Sequence, residues 1–437
     1  MRDWYLISII VLMAWIFYPL SITLADNGNY QNFLVGDRAA GMGGAVVAST
    51  RDMDACYYNP SGLARVTGSR ISLSATLYGI YNIWAKEALG PGKSYKAREF
   101  ESIPSAFGSI LNVSDRFSLA FAVLTPDEID YNAQKSFERY PYQPGILQSD
   151  YYSVTLDDTM MWIGPSLGFR ASDRLSLGMA AYVVYRSSVR KQAWTYLYTK
   201  EGSKEVVQVL SRQYSIDYTN YGLLGILGAQ YMLTDDIYLG ATVQTPSLNL
   251  TGNGDLFYAA ALDNPEQDEL VNAKNMKSKN KLSTKFSAGI GYRVPSRYGF
   301  ELDITHYFPT NYTELTGDDT WTGEQVSLGV RKKSVTNFNI GGEYYINECY
   351  PLRLGFFTNL SAAPYPDPEE NVISRQIDMY GVSAGIGMET EHTTINLGIN
   401  YVWGDGKSQG LDEDFNPTVV DARESYLFVF LASAYIF

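Results

Sequence analysis

Histidine and cysteine are nearly absent from this chain, which carries two of each in 437 residues. Acid–base and nucleophilic mechanisms usually place a histidine beside a nucleophile or a carboxylate. Neither His306 nor His392 has such a partner at a recognisable spacing, so no enzymatic role is expected. Cys56 and Cys349 show no metal-ligand spacing; in an oxidising compartment they could form one disulfide, and the sequence leaves that open. No Lys/Arg block occurs, and 47 acidic against 34 basic residues give a formal charge of −13. That balance argues against a nucleic-acid partner, which needs a basic face. No dinucleotide or phosphate fingerprint is present, and no cofactor is implied. After the first 25 residues no uninterrupted apolar run approaches the length of a membrane-spanning helix, so helical membrane insertion is excluded for the remainder.

What the chain does have is 35 tyrosines and 38 glycines, a mixture that favours strands and tight turns. It opens with an apolar run from Trp4 to Tyr18, then Pro19 and the small-residue sequence up to Ala25, the layout of an export signal over residues 1–25. A retained membrane anchor is the alternative, although no charged stop-transfer cluster follows Ala25.

From Ile71 onward, six short polar turns, near residues 112–116, 171–174, 234–236, 295–297, 347–350 and 389–392, alternate with long polar segments. The long segments fall near 85–99, 126–157, 187–217, 247–281, 310–332, 360–376 and 405–423. Strict alternation of short and long connections between about ten-residue strands is the plan of a transmembrane β-barrel. Counting the runs predicts fourteen antiparallel strands within residues 71–437, the third to sixth at 117–126, 158–171, 174–186 and 218–233. Period-two alternation assigns faces. Leu175, Leu177, Met179, Ala181 and Val183 should meet lipid, as should Phe300, Leu302 and Ile304, and Ile395, Leu397 and Ile399. Glu301, Asp303, Asn396 and Asn400 should face the lumen. The last residues, Ser425 to Phe437, form an amphipathic strand ending in an aromatic, similar to the terminal strand read by outer-membrane assembly machinery.

Residues 26–70 fit no strand period. They contain Gly36-Asp37-Arg38-Ala39-Ala40-Gly41-Met42-Gly43-Gly44-Ala45 and then Tyr57-Tyr58-Asn59-Pro60-Ser61-Gly62-Leu63-Ala64. Small residues allow close backbone packing, and fourteen strands would otherwise enclose a water-filled opening, so a compact plug inside the lumen is expected. On these two motifs and the strand count, the mature chain resembles the FadL family of outer-membrane transporters for long-chain fatty acids and aromatic hydrocarbons. The resemblance implies an all-β barrel in the bacterial outer membrane, with an N-terminal hatch whose glycines Gly36, Gly41, Gly43 and Gly44 and motif residues Asn59 and Pro60 match the family. Ser61 stands where the family has alanine.

The resemblance also implies a monomer that captures an apolar ligand with its extracellular loops, rearranges the hatch and releases the ligand sideways at a kinked third strand. Leu256, Phe257 and Tyr258, an apolar stretch in a charged loop, are the candidate capture residues; packing of that loop on itself is the alternative. The predicted third strand has no glycine from Phe117 to Thr125, whereas the fourth carries Gly164-Pro165. Proline removes a ladder donor, so a lateral gap between these two strands is expected at Gly164 and Pro165. Acidic loop residues Asp318, Asp319, Asp405, Asp412, Glu413 and Asp414 read as solvated groups bridged through divalent ions to lipopolysaccharide, or as a Ca²⁺ site without EF-hand spacing. A plugged general porin for polar solutes and a structural or adhesive surface barrel stay open as alternative functions.

Overall fold

Once a strand's N–H and C=O groups leave water they must pair, and an open sheet in lipid has two edges that cannot. The chain meets this condition by closing on itself. The computed structural model describes residues 28–89, 92–261, 269–367, 375–411 and 417–437; the expected export segment, Asp412, Glu413 and Asp414 lie outside them. The described residues form β1 (Arg70–Ala85), β2 (Tyr95–Ser114), β3 (Phe117–Gln143), β4 (Ile146–Arg170), β5 (Leu175–Lys200), β6 (Val206–Met232), β7 (Ile237–Gln244), β8 (Leu248–Ala261) and β9 (Glu269–Ser278). They continue as β10 (Lys285–Val294), β11 (Tyr298–Tyr307), β12 (Thr310–Asp318), β13 (Gln325–Lys332), β14 (Val335–Tyr345), β15 (Pro351–Asn359), β16 (Arg375–Glu389), β17 (Thr393–Leu411) and β18 (Pro417–Ile436).

Antiparallel pairing follows chain order from β1 to β7, passes to β10, β11 and β14, and runs on to β18. β18 then closes on β1 from Arg70↔Ile436 to Ala85↔Ala422. The wall therefore has fourteen strands, as the turn spacing predicts. Leu177, Met179 and Val183, Phe300, Leu302 and Ile304, and Ile395, Leu397 and Ile399 are all exposed on the outer face, while Ser176, Glu301, Asp303, Asn396 and Asn400 are buried inside.

Four strands run far past their predicted ends. The segments expected as loops at 126–157 and 187–217 are the upper halves of two tall hairpins, β3–β4 and β5–β6. Above the lipid both sheet faces may be polar, as at Arg190-Lys191-Gln192, so hydropathy stops marking strands there although the ladder continues. The segments 247–281 and 310–332 are likewise not loops: they supply β8, β9, β12 and β13, which pair with one another and, through β8, with the upper part of β6. This extracellular sheet has its own small core of Ile216, Tyr218, Leu256, Ala273, Met276 and Leu315.

Residues 28–69 fill the lumen. They make two single-turn helices, α1 (Arg38–Gly41) and α2 (Ala55–Tyr58), and a 3₁₀ turn over Pro60–Arg65. Wall and plug meet backbone to backbone, which only glycine on the wall permits. A Cβ on Gly355 would lie 2.2 Å from the Gly43 nitrogen, one on Gly178 2.2 Å from the Pro60 carbonyl carbon, and one on Gly240 2.3 Å from the Val47 oxygen. Gly168 and Gly341 are in the same position against Ala64 and Met42. A ring of inward glycines thus seats the plug. Gly355→Val should unseat it at a cost of roughly 1–3 kcal/mol from overpacking. The expected result is a raised planar-bilayer conductance with unchanged heat-modifiable gel migration of the barrel; unaltered conductance would show that the glycine contacts do not hold the plug.

Candidate functional site

The plug is a hatch held by buried polar contacts from the opposite wall. Asp303 Oδ2 accepts from the Val46 and Val47 N–H groups at 2.8 and 2.9 Å, and Glu301 accepts from Ala48 N. Asn339 and Ser383 donate to the carbonyls of Gly43 and Gly41 at 2.7 and 3.0 Å, and Asn396 donates to Asp37 at 2.7 Å. At the centre, Glu343 on β14 accepts from Arg38 of the hatch at 3.3 Å and from Arg353 on β15 at 2.9 Å, with its side chain fully inaccessible. Arg353 extends the chain of charges to Glu389 at 2.6 Å.

The Asn59-Pro60-Ser61 motif is a brace. Asn59 caps the 3₁₀ turn, its Oδ1 accepting from Ser61 N and Ser61 Oγ, while its Nδ2 donates to Val47 O at 2.7 Å and to Ala229 O on β6 at 3.1 Å. Serine at position 61 therefore adds a bond to the motif instead of disturbing it. Of the hatch glycines, Gly36, Gly43 and Gly44 adopt left-handed backbone at φ +88, +64 and +79, and Gly41 lies against the Arg353 side chain. Asp54 fastens the first hatch turn by accepting from Ala39 N at 2.7 Å and Asp37 N at 3.1 Å. Burial, then Asp52 and Asp37, push its carboxyl well above the usual range.

Above the hatch the inward face of β1 to β5 carries an apolar and aromatic cluster beside buried charges, Glu101 on β2 and the Asp158–Arg186 pair of β4 and β5 at 2.8 Å. Leu77, Ile103, Leu124, Ile129, Tyr131, Trp162 and Tyr182 are all buried there, in one cluster with Phe33 and Tyr57 of the hatch segment. Tyr57 stacks on Trp162 at 5.4 Å, and Tyr152 meets both Tyr95 and Trp194 at 5.6 Å. Sequence reasoning had the parity to place these rings inside but not the topology to gather them.

This column borders a break in the wall. β2 pairs with β1 from Tyr95 to Ile110, yet its ladder to β3 spans only Ala106↔Leu124 to Ser114↔Phe117. Above Leu124, β3 bulges at Thr125-Pro126 and pairs only with β4. Side-chain contacts bridge the break: Glu101 Oε1 accepts from Asp130 N at 3.0 Å, the hydroxyls of Tyr95 and Tyr131 meet, and Lys93, just before β2, pairs with Asp150 of β4 at 2.7 Å over the Tyr140 ring of β3. Asn32 of the hatch segment donates to Asp127 beside the bulge.

The gap expected between the third and fourth strands is not there. β3 and β4 pair through Phe121↔Pro165 and Ala122↔Gly164. Pro165 does cost pairing, but on its other side: the β4–β5 ladder steps from Ile163↔Val183 to Ser166↔Ala180 without partners for Gly164 and Pro165. A strand's N–H groups point alternately to its two neighbours, and sequence parity alone does not say which neighbour loses the donor. That interval is filled by Ser166 and the Tyr182 hydroxyl, 2.6 Å apart, and Tyr182 donates to Cys56 O at 2.7 Å.

Of the expected capture residues, Leu256 is 4% exposed in the extracellular core, and Phe257 and Tyr258 are half-buried beside it on β8. Of the acidic loop residues, Asp405 pairs with Arg423, and Asp319 is occupied by Asn272 N and Thr322. His306 lies beside Thr336 and Phe308, and His392 stacks on Tyr435. The cysteines are unbonded, Cys56 buried in the hatch and Cys349 exposed in a short turn.

Two outcomes follow from the hatch geometry. Glu343→Ala leaves Arg38 and Arg353 buried without their shared carboxylate, a loss of about 3–5 kcal/mol; limited proteolysis should then cut the hatch while the barrel stays intact. Burial pushes the Cys56 thiol up to about 12, so the nucleophilic thiolate is scarce at neutral pH. Maleimide should label Cys349 and spare Cys56, and in Cys349→Ser any labelling reports hatch displacement.

A family model described as outer membrane protein transport protein (OMPP1/FadL/TodX) matches residues 23–437. No curated protein sequence matches the chain. Among solved structures it is similar in fold to the P. putida toluene transporter TodX, at 15% identity and TM-score 0.66, covering 93% of this chain and 99% of that one. A Pseudomonas aeruginosa FadL homologue matches at 14% identity and TM-score 0.62 over 93% and 99%, and the Ralstonia pickettii toluene transporter TbuX at 14% and 0.57 over 94% and 100%. A fourteen-strand barrel with a lumenal hatch, matched from residue 23 to its last residue, makes this chain a member of the OMPP1/FadL/TodX family of bacterial outer-membrane transport proteins.

Proposed function

We propose that the protein passes a hydrophobic small molecule, a long-chain fatty acid or a monoaromatic hydrocarbon, from the cell surface into the outer membrane through the break between β2 and β3. The observation that carries this reading is the apolar, aromatic column that leads from the hatch to that break. A general porin keeps a polar, water-filled lumen, whereas here Ile103, Leu124, Ile129 and Tyr131 line the approach. Solved relatives named for toluene transport lend support to an apolar cargo.

In this scheme Phe257 and Tyr258, not Leu256, offer the first apolar contact outside. The cargo then descends to the aromatic cluster, where the hatch blocks the direct route to the periplasm. Sideways exit needs no β2–β3 main-chain pair to open, since above Leu124 contacts through side chains, Glu101–Asp130, Tyr95–Tyr131 and Lys93–Asp150 among them, cross the break. Hatch rearrangement, through the Asn32 contact with Asp127, is the step that frees the route.

Vesicle uptake of labelled oleate and labelled toluene, beside planar-bilayer conductance, tests the proposal. Saturable uptake of one of them with low ion conductance is expected. Ile129→Glu places a charge on the approach and should cut uptake at least tenfold, since an unpaired carboxylate in an apolar passage costs several kcal/mol. Pro165→Val, at the β4–β5 interruption, should transport close to normally. Open ion conductance with uptake of neither compound would mean a porin.

A further inference from the structure

The outer surface of the barrel carries a cationic depression whose position fixes its height in the membrane. It has a volume of about 780 Å³ and lies across β17, β18, β1 and β2, with Lys135 reaching in from β3. On β17 the outward residues climb from Ile395, Leu397 and Ile399 to Tyr401 and Trp403, which stack at 5.6 Å, and then to Asp405. An aromatic pair above an aliphatic band marks the membrane–water boundary of a barrel. The strand register extends that level sideways: Asp405 faces Arg423, Arg423 faces Trp84, and Trp84 faces Lys96, while one row nearer the membrane Trp403 faces Ser425 and Asn82 faces Arg98. Arg423, Lys96 and Arg98 thus stand at headgroup height, on the side of the long connections, and Lys135 joins them in the depression from across the β2–β3 break.

Their balance is unusual in a chain of formal charge −13. The outward carboxylate of the depression, Asp405, is already taken by Arg423 at 2.6 Å, while Glu424 is buried on the lumen side of β18 with Arg375. Arg423 also lies over the Trp84 ring, 5.3 Å from its centroid. Among the described residues, Lys96, Arg98 and Lys135 have no carboxylate within ion-pair distance. Lys96 and Arg98 are exposed, and in the next row nearer the membrane the outer face turns to Phe100, Leu427 and Tyr401.

We propose that this depression binds the phosphate-bearing headgroup of an outer-leaflet glycolipid, lipid A of lipopolysaccharide, with the acyl chains lying along the aliphatic band below. The three unpaired cations supply charge-assisted contacts to phosphate, Trp403 and Tyr401 flank the sugar, and the lipid face takes the chains. An occupant anionic at one end and apolar at the other is what the surface complements; a soluble anion would use only its upper rim. The contact is direct, in contrast to the divalent bridging from acidic loops that the sequence suggests.

Native mass spectrometry of the detergent-solubilised full chain, titrated with bisphosphorylated lipid A and with its dephosphorylated form, tests this. Wild type should retain the bisphosphorylated lipid, and the phosphate-free form should bind at least tenfold more weakly. Lys96→Gln/Arg98→Gln/Lys135→Gln should lose about tenfold per removed contact, while the charge-conserving Arg98→Lys and the distant Lys200→Gln should bind as wild type. These are surface changes, and unchanged heat-modifiable migration checks the fold. Equal retention of both lipids, undiminished binding by the triple variant, or an equal loss in Lys200→Gln would each overturn the assignment.

Discussion

A main-chain N–H or C=O left unpaired in hydrocarbon costs several kcal/mol, and the architecture of this barrel follows from that cost. It obliges fourteen strands to close through β1 and β18, and it forbids a hole in the wall unless something covers the freed groups. The break between β2 and β3 obeys the rule. It starts at Ala106 and Leu124, beside a one-residue bulge at Thr125-Pro126, and where the ladder ends a side-chain carboxylate, Glu101, takes over the N–H of Asp130. A ladder rung can be exchanged for a side-chain contact where a strand must part from its neighbour, and side chains move on far shorter timescales than strands separate.

The hatch meets the same demand differently. It has almost no regular structure, so its main-chain groups look outward for partners, and the inner wall provides them through Glu301, Asp303, Asn339, Ser383 and Gln230. Glycines bring the two backbones close enough for those side chains to reach. Much of the polar lumen wall is thereby spent on holding the plug, and the apolar cluster of β1 to β5 is left to face cargo.

Much of this could be read from the residues. Phe300, Leu302 and Ile304 against Glu301 and Asp303 give both the strand and its faces, and Asn59-Pro60 beside the glycine run gives the hatch. The tall hairpins were hidden because Arg190, Lys191 and Gln192 leave no apolar face once the strand clears the lipid. Leu256 looked like a capture residue because a strand paired only with extracellular strands resembles a charged loop until its partners are known. The site of lateral opening was the hardest: Pro165 does lack a donor, but which neighbour misses it is a property of register, and the local signal for the parting of β2 from β3 lay instead in Pro104 and Pro126, which flank the end of that ladder.

The hatch precedes every strand that encloses it, and its anchors lie far along the chain: Arg38 to Glu343 spans 305 residues, and Asp37 to Asn396 spans 359. Those bonds cannot form until nearly all of the wall exists, yet once β18 has zipped onto β1 nothing as large as the hatch can enter. The order of assembly is thereby constrained. The plug has to wait, uncompacted, inside a curling sheet and serve as the form around which the sheet closes, so the seam is the last joint made and its completion is what commits the molecule to being sealed.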